Sequence, residues 1–259
     1  MGRAEHRQLY RLTGRTLGDL ERTAVGWRWR LDQREVLLPA AGLLAHGTRL
    51  SASALKLDRD GHVGAGTIVR SAAESALYGL WVVVAPADAM LSLELDQADK
   101  RRKVVRGLFG VDDADRIKRI ADDEDAARLR YPTGEICNTA IDQIARDRVA
   151  PGLKAQFDAK FDYKSFYDGL YRSHSNFDVH PYFAATSDST ISTTRNEKRI
   201  GTFNPRFRPM GAQVGISTGL LCQLAGYIAS RRGEDREVWL RAEGRLVEAI
   251  KAAHLDEHD

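Results

Sequence analysis

Only two cysteines, Cys137 and Cys222, occur in 259 residues. They stand far apart and form no CxxC spacing, which excludes a disulfide framework or a self-contained zinc knuckle and makes a reducing compartment the expectation. Long hydrophobic runs are missing too. The longest, within "ALYGLWVVVAPA", is too short to cross a bilayer. The opening "MGRAEHRQLYRLTGRTLG" lacks the apolar stretch of a signal peptide. It begins Met-Gly, but His6 stands where a myristoylation signal needs Ser or Thr. A cytoplasmic protein with no membrane partner is therefore expected. Nor does one sign of charge prevail: 39 Lys and Arg face 36 Asp and Glu, a formal charge of +3. The two signs alternate, as in "ADKRRKVVRGLFGVDDADRIKRIADDEDAARLR", which reads as solvated, salt-bridged helix faces. Proteins that live on phosphate backbones usually concentrate their basic residues instead. Finally, "GHVGAGTIV" has no third glycine at dinucleotide-loop spacing, and there is no P-loop, nucleophile elbow or HExxH. No cofactor and no metal are expected.

What is present is helical periodicity. With 43% apolar residues the chain can build a real core. "EVLLPAAGLLAHGTRLSASALKL" (35–57) repeats apolar residues at three and four positions, with Pro39 in the first turn and Gly61 as a stop. "HVGAGTIVRSAAESALYGLWVVVA" (62–85) is apolar around most of its circumference, as a central bundle helix should be, and Gly64, Gly66, Ala72, Ala73 and Ala76 allow close neighbours. Residues 88–130 read as charged amphipathic helices broken near Gly110. Another helix is expected within "YPTGEICNTAIDQIARDR", with Thr133 as its N-cap. The aromatic stripe from Phe161 to Phe177 reads as core packing. "SDSTISTTRNEKRIGTFNPRFRP" (187–209) then shifts to Ser, Thr, Gly and Pro with β-branched residues around "RNEK", a polar β-hairpin or long loop. Helices at about 210–231 and 235–254 close the chain. The expectation is an all-α chain: an N-terminal helical extension over 1–34, then one helical domain over 35–259 with the polar insert.

One stretch, "YRSHSNFDVHP" (171–181), is dense in polar groups. If 160–180 is a helix, Arg172, Asn176 and His180 fall on one i, i+4, i+8 row with Ser173 beside them. His174 and Asp178 form a second pair on another face. His180 titrates in the range useful for proton transfer near neutral pH, Arg172 has the fork to hold a phosphate or carboxylate, and Asn176 can orient either. The competing reading is structural: His180 caps a helix end and Arg172 is a surface charge. His174 reads as a satisfied core histidine. A metal site of His174, Asp178 and His180 is disfavoured because one helix spreads them too widely. A second anomaly is Arg70 with Glu74, four apart inside the most apolar helix. Either they pair with each other and fix register, or one of them points into the cavity of His180.

The order of these features resembles an uncharacterised bacterial all-helical family. The matching residues are Arg70, Glu74 and Trp81, followed by Tyr171, Ser175, His180 and Pro181 ahead of a polar hairpin. That family in turn resembles the HEPN superfamily. The resemblance implies a HEPN-like multi-helix bundle, a homodimer, RNA as partner, and metal-independent ribonuclease chemistry of the kind used in toxin and phage-defence systems. In such enzymes an Arg, a polar residue and a His on one helix act on RNA whose 2′-hydroxyl is the nucleophile. Aligning His180 with the motif histidine puts Asn176 at the polar position and Ser175 where the arginine stands, with Arg172 one turn earlier. On this reading His180 is the acid or base, Arg172 stabilises the phosphate and Asn176 positions it. Arg70, Glu74, Ser175, Arg199 and Arg206 then contact substrate, with Arg195, Lys198 and Arg208 extending a basic approach. The alternatives are a non-catalytic helical binding or scaffold protein, and a small-molecule enzyme using Glu74 and His180 as an acid–base pair.

Overall fold

Apolar side chains on nearly every face bury residues 65–84 as a helix, so its neighbours must approach closely. The computed structural model describes residues 3–29, 31–60, 65–109, 113–162, 189–193, 199–203 and 210–255. Over these the chain is helical apart from short connections and one pair of strands. It groups into two compact units. The first comprises Met1–Arg28, Ala41–Ala76 and Asp162–Asp259, and the second Trp29–Ala40 and Leu77–Phe161.

In the first unit, α1 (Arg3–Gly26) turns Leu9, Thr13, Thr16, Leu17 and Leu20 inward at helical spacing. They pack on α8 (Gly211–Arg231), buried along most of its length, and on α9 (Glu237–Leu255), which contributes Trp239, Ala242, Leu246 and Ala253. α1 and α9 run antiparallel. Trp27, just past the end of α1, donates its indole N–H to Glu234 at 3.2 Å, whereas Leu9 and Ile250 flank Gly215 at the other end. Arg232 locks the α8–α9 turn: its guanidinium lies 5.5 Å from the Trp27 ring centre and donates to the Arg28 carbonyl at 2.7 Å. Gly233 makes that turn at φ +77°, a conformation costly for a residue with a Cβ.

The tightest approach to a glycine described in the first unit is at Gly47 on α2 (Leu31–Arg59). A Cβ there would lie 2.8 Å from Leu221 on α8 and 3.1 Å from the carbonyl oxygen of Ala72 on α3 (Ala65–Val84). One turn on, the hydroxyls of Ser51 and Ser217 meet at 3.0 Å and satisfy each other in the same buried layer. Within the polar insert, β1 (Ser189–Thr193) pairs antiparallel with β2 (Arg199–Phe203), in register from Ser189 opposite Phe203 to Thr193 opposite Arg199. Residues 194–198 between them lie outside the described residues.

The second unit holds the first turns of α2, the end of α3, α4 (Pro86–Phe109) and α5 (Ala114–Arg130). The charged faces of α4 and α5 bridge each other through Arg101–Asp123 at 2.9 Å and Arg102–Glu124 at 2.6 Å. Two expectations fail around this unit. α2 begins at Leu31, so Pro39 is interior rather than in the first turn. The helix passes from the second unit to the first directly after it, between Ala40 and Ala41. Thr133 caps no helix. Residues 134–140 are non-helical because donors there are taken by α4: Glu135 N–H binds the Asp88 carboxylate at 2.9 Å and Cys137 N–H binds Ser92 Oγ at 2.8 Å. These long-range acceptors outcompete a local helix start. The helix begins instead as α6 (Ile141–Gln143), widens to a π-helical stretch (Ile144–Val149) and continues as α7 (Ala150–Phe157). Pro151, with no N–H to return to the carbonyl of Asp147, gives the widening a local cause. Gln156 then donates to the Val84 carbonyl at 2.6 Å, satisfying the end of α3.

Replacing Gly47 by Val should destabilise the fold by about 1–3 kcal/mol, because neither Leu221 nor the Ala72 backbone can move away without repacking. Urea unfolding of the two proteins measures it, and an unchanged midpoint would mean that the helices separate freely there.

Candidate functional site

Arg70 and Glu74 share one face of α3, where Arg70 Nε donates to Glu74 Oε1 at 3.0 Å. Their side chains are 24% and 27% exposed, so water still screens the pair, and its worth is on the order of 0.5 kcal/mol. Farther along α3, in the second unit, Trp81 is fully buried, and its indole N–H has no hydrogen-bond partner among the described residues. Arg199 opens β2 opposite Thr193. Arg172, His174, Ser175, Asn176, Asp178, His180, Arg195, Lys198, Arg206 and Arg208 lie outside the described residues. Phe161, the first member of the aromatic stripe, is buried.

A cluster that sequence reasoning missed sits in the first unit. Asp58 occupies the last turn of α2, where the helix dipole disfavours an acid, and it is 1% exposed. Two donors compensate. The Tyr10 hydroxyl on α1 donates to one carboxylate oxygen, and the backbone N–H of Met210, the N-cap of α8, donates to the other at 2.7 Å. Burial pushes the Asp58 carboxyl above its ordinary value, against the pull of both hydrogen bonds and of His6. Burial and then the neighbouring acid push the Tyr10 phenol up as well. Tyr10 also walls in the start of α8: a Cβ on Gly211 would lie 2.9 Å from its ring. The chain returning from the polar insert is thus held by a buried acid. Asp58 reads from the sequence as one charge among the "LDRD" residues, and nothing local shows that it faces inward.

A second acid, the half-buried Glu243, stands between Arg241 and Arg245 in the sequence of α9 and reads from the sequence as surface. It faces α8 instead, with its chain against Gly219 and its carboxylate accepting from the Gln223 amide. Burial raises the Glu243 carboxyl, opposed by that hydrogen bond. On α8, burial and then Glu243 raise the Cys222 thiol and the Tyr227 phenol. A protonated Cys222 in apolar surroundings is inert as a nucleophile. Among the described residues no group of three or more His, Cys, Asp and Glu side chains is placed to hold a metal ion, and no helix is long and apolar enough to cross a membrane. Comparison with known protein families, with curated proteins and with solved structures finds no match for the chain.

Both acids can be tested by substitution. Asp58→Ala strands the Tyr10 hydroxyl and the Met210 N–H and should cost about 1–3 kcal/mol in urea unfolding, more than Tyr10→Phe, which leaves the Met210 bond intact. For Glu243 the folded-state pKa lies above the unfolded one. Its contribution to stability is therefore full below the unfolded-state carboxylate range and is lost as pH rises through the folded value. Glu243→Gln should match or exceed the wild type in stability at pH 7, and the gap should shrink at pH 4. A variant that is weaker only at pH 7 would show the ionised acid to be stabilising.

Proposed function

We propose that the chain is a HEPN-like RNA-targeting protein, a cytoplasmic homodimer acting as a metal-independent ribonuclease in a toxin or phage-defence system. The observation that carries this reading is the order of motifs along a helical chain. Arg70, Glu74 and Trp81 lie on one helix, the Arg172–Asn176–His180 row follows some ninety residues later, and a polar segment containing paired strands comes after it. In this mechanism His180 takes the proton of the RNA 2′-hydroxyl or returns one to the leaving oxygen, Arg172 offsets charge on the phosphate, and Asn176 orients it.

A non-catalytic binding or scaffold role is the second reading, and two observations favour it. Ser175 occupies the position of the motif arginine, and Arg70, the arginine nearest in pattern on α3, is bonded to Glu74. That pair also weighs against Glu74 as a free acid–base group for a small-molecule substrate.

Mixed cellular RNA incubated with the purified protein in EDTA separates the two. Cleavage should fall about 10²–10⁴-fold in a folded His180→Ala variant if His180 is the acid or base. Absence of cleavage by the wild type would leave the binding role as the reading of choice.

A further inference from the structure

We infer that the groove between α1 and α9 binds the sugar–phosphate backbone of single-stranded RNA. The groove encloses about 1350 Å³. Arg7, Arg11 and Arg15 line one wall, and Arg241 and Arg245 the other. All five are exposed, and none is ion-paired with a carboxylate among the described residues. Several arginines elsewhere hold an acid, among them Arg22, Arg49, Arg101, Arg102, Arg130 and Arg146. Of the two acids of the groove, Glu5 lies at the start of α1, whereas Glu248 stands one turn beyond Arg245 on the α9 wall. Glu248 is already held by Lys251 at 2.9 Å. Five arginines against these two acids leave the groove with a net positive charge.

The spacing selects the ligand. Residues four apart on a helix rise by about 6 Å, an interval of the order of that between successive phosphates on one strand. Like charges at that spacing destabilise a helix, and an anion laid along them reverses the sign of the effect. Arginine suits a phosphate because its planar fork bonds two oxygens at once. Facing rows on two walls fit a thin, elongated polyanion lying lengthwise. A membrane-binding face would instead present large apolar side chains outward rather than recess its charge. The floor is made by small and aliphatic groups such as Leu12 and Ala249, with no aromatic among the lining residues. Bases have nothing to stack on there, so recognition is of the backbone and tolerant of sequence.

The choice of RNA rests on the functional reading above, whereas the phosphodiester chemistry does not depend on His180. The test is fluorescence anisotropy of the full chain with an end-labelled mixed-sequence single-stranded RNA across a salt series. It is run for the wild type and in a His180→Ala background, which keeps the probe intact. Arg11→Glu with Arg245→Glu should weaken binding at least tenfold at unchanged helicity and melting temperature. Arg15→Gln with Arg241→Gln should flatten the salt dependence by about 0.7 in log–log slope for each phosphate left without its arginine. Arg106→Gln with Arg128→Gln, which removes the same charge from the other unit, should bind as the parent does. Undiminished binding by the groove variants overturns the proposal and leaves an RNA-targeting function standing. A parent that binds no RNA overturns both, and binding only to phosphatidylserine vesicles would reassign the groove to a membrane. Equal affinity for DNA of the same sequence keeps a phosphodiester site and overturns its assignment to RNA.

Discussion

A buried carboxylate that must find two donors governs the first unit. Asp58 ends α2 in the wrong field for an acid, yet it is almost wholly removed from water. An acid in that position is tolerable only where donors replace its hydration. Tyr10 and Met210 supply them, and each comes from a different part of the chain. Their demands then propagate. Tyr10 must stand on the inner side of α1, which sets the rotation of that helix and turns Arg7, Arg11 and Arg15 outward. Met210 must present its N–H, which fixes where α8 begins, and Gly211 follows because the Tyr10 ring leaves no room for a side chain. The position of α1 against α8 and α9 is thus tied to one hydrogen-bonded acid as well as to apolar burial.

The two units differ in where some of their acids lie. In the second, α4 and α5 meet through crossed ion pairs, and Glu94 is shared between Arg130 and Tyr131, so acids and bases neutralise one another on a solvated face. Such pairs contribute little each and act mainly as solubilising surface. The first unit has surface pairs too, such as Arg22–Asp19 and Arg49–Glu21, but two of its acids are drawn inward, Asp58 to α8's start and Glu243 to α8's flank. Glu243 lies on the face of α9 opposite Arg241 and Arg245, so the rotation that packs it against Gly219 is the one that exposes the arginines. Packing of α9 and exposure of its arginines are two sides of one helix rotation.

Much of the helical architecture was legible because it is periodic. The apolar circumference of α3, the break between α4 and α5, and the two closing helices follow from side-chain spacing alone. What failed depended on partners distant in sequence. Thr133 carries every local sign of an N-cap, yet Asp88 and Ser92, more than forty residues upstream, take the N–H groups that a helix there would need. Asp58 and Glu243 resemble surface acids because charge alternation does not reveal which face turns inward. The basic row of α1 is hidden for a related reason. Averaged over the chain, 39 bases against 36 acids look balanced, and the average conceals a row such as Arg7, Arg11 and Arg15 at four-residue spacing. Of the candidate site, Arg70 and Glu74 were visible as a charged pair in an apolar helix, while the segment 171–181 lies outside the described residues.

The Arg70–Glu74 bond bears on how any chemistry would be divided. An arginine that stabilises a developing phosphate charge must keep its fork free for the moment of reaction. Arg70 is bonded to its own helix neighbour at 3.0 Å, and releasing it would expose Glu74, an anion, to the same region. A polyanionic substrate gains nothing from that exchange, since the uncovered carboxylate repels what the guanidinium attracts. On the proposed reading, the strand would be held by the α1–α9 rows, and the reacting phosphate is assigned to Arg172 from the sequence alone. On this division binding and chemistry reside in different parts of the chain. If both proposals hold, the length of strand along α1 and α9 would supply affinity, and a short motif with a single histidine would have only to act where that strand is already placed.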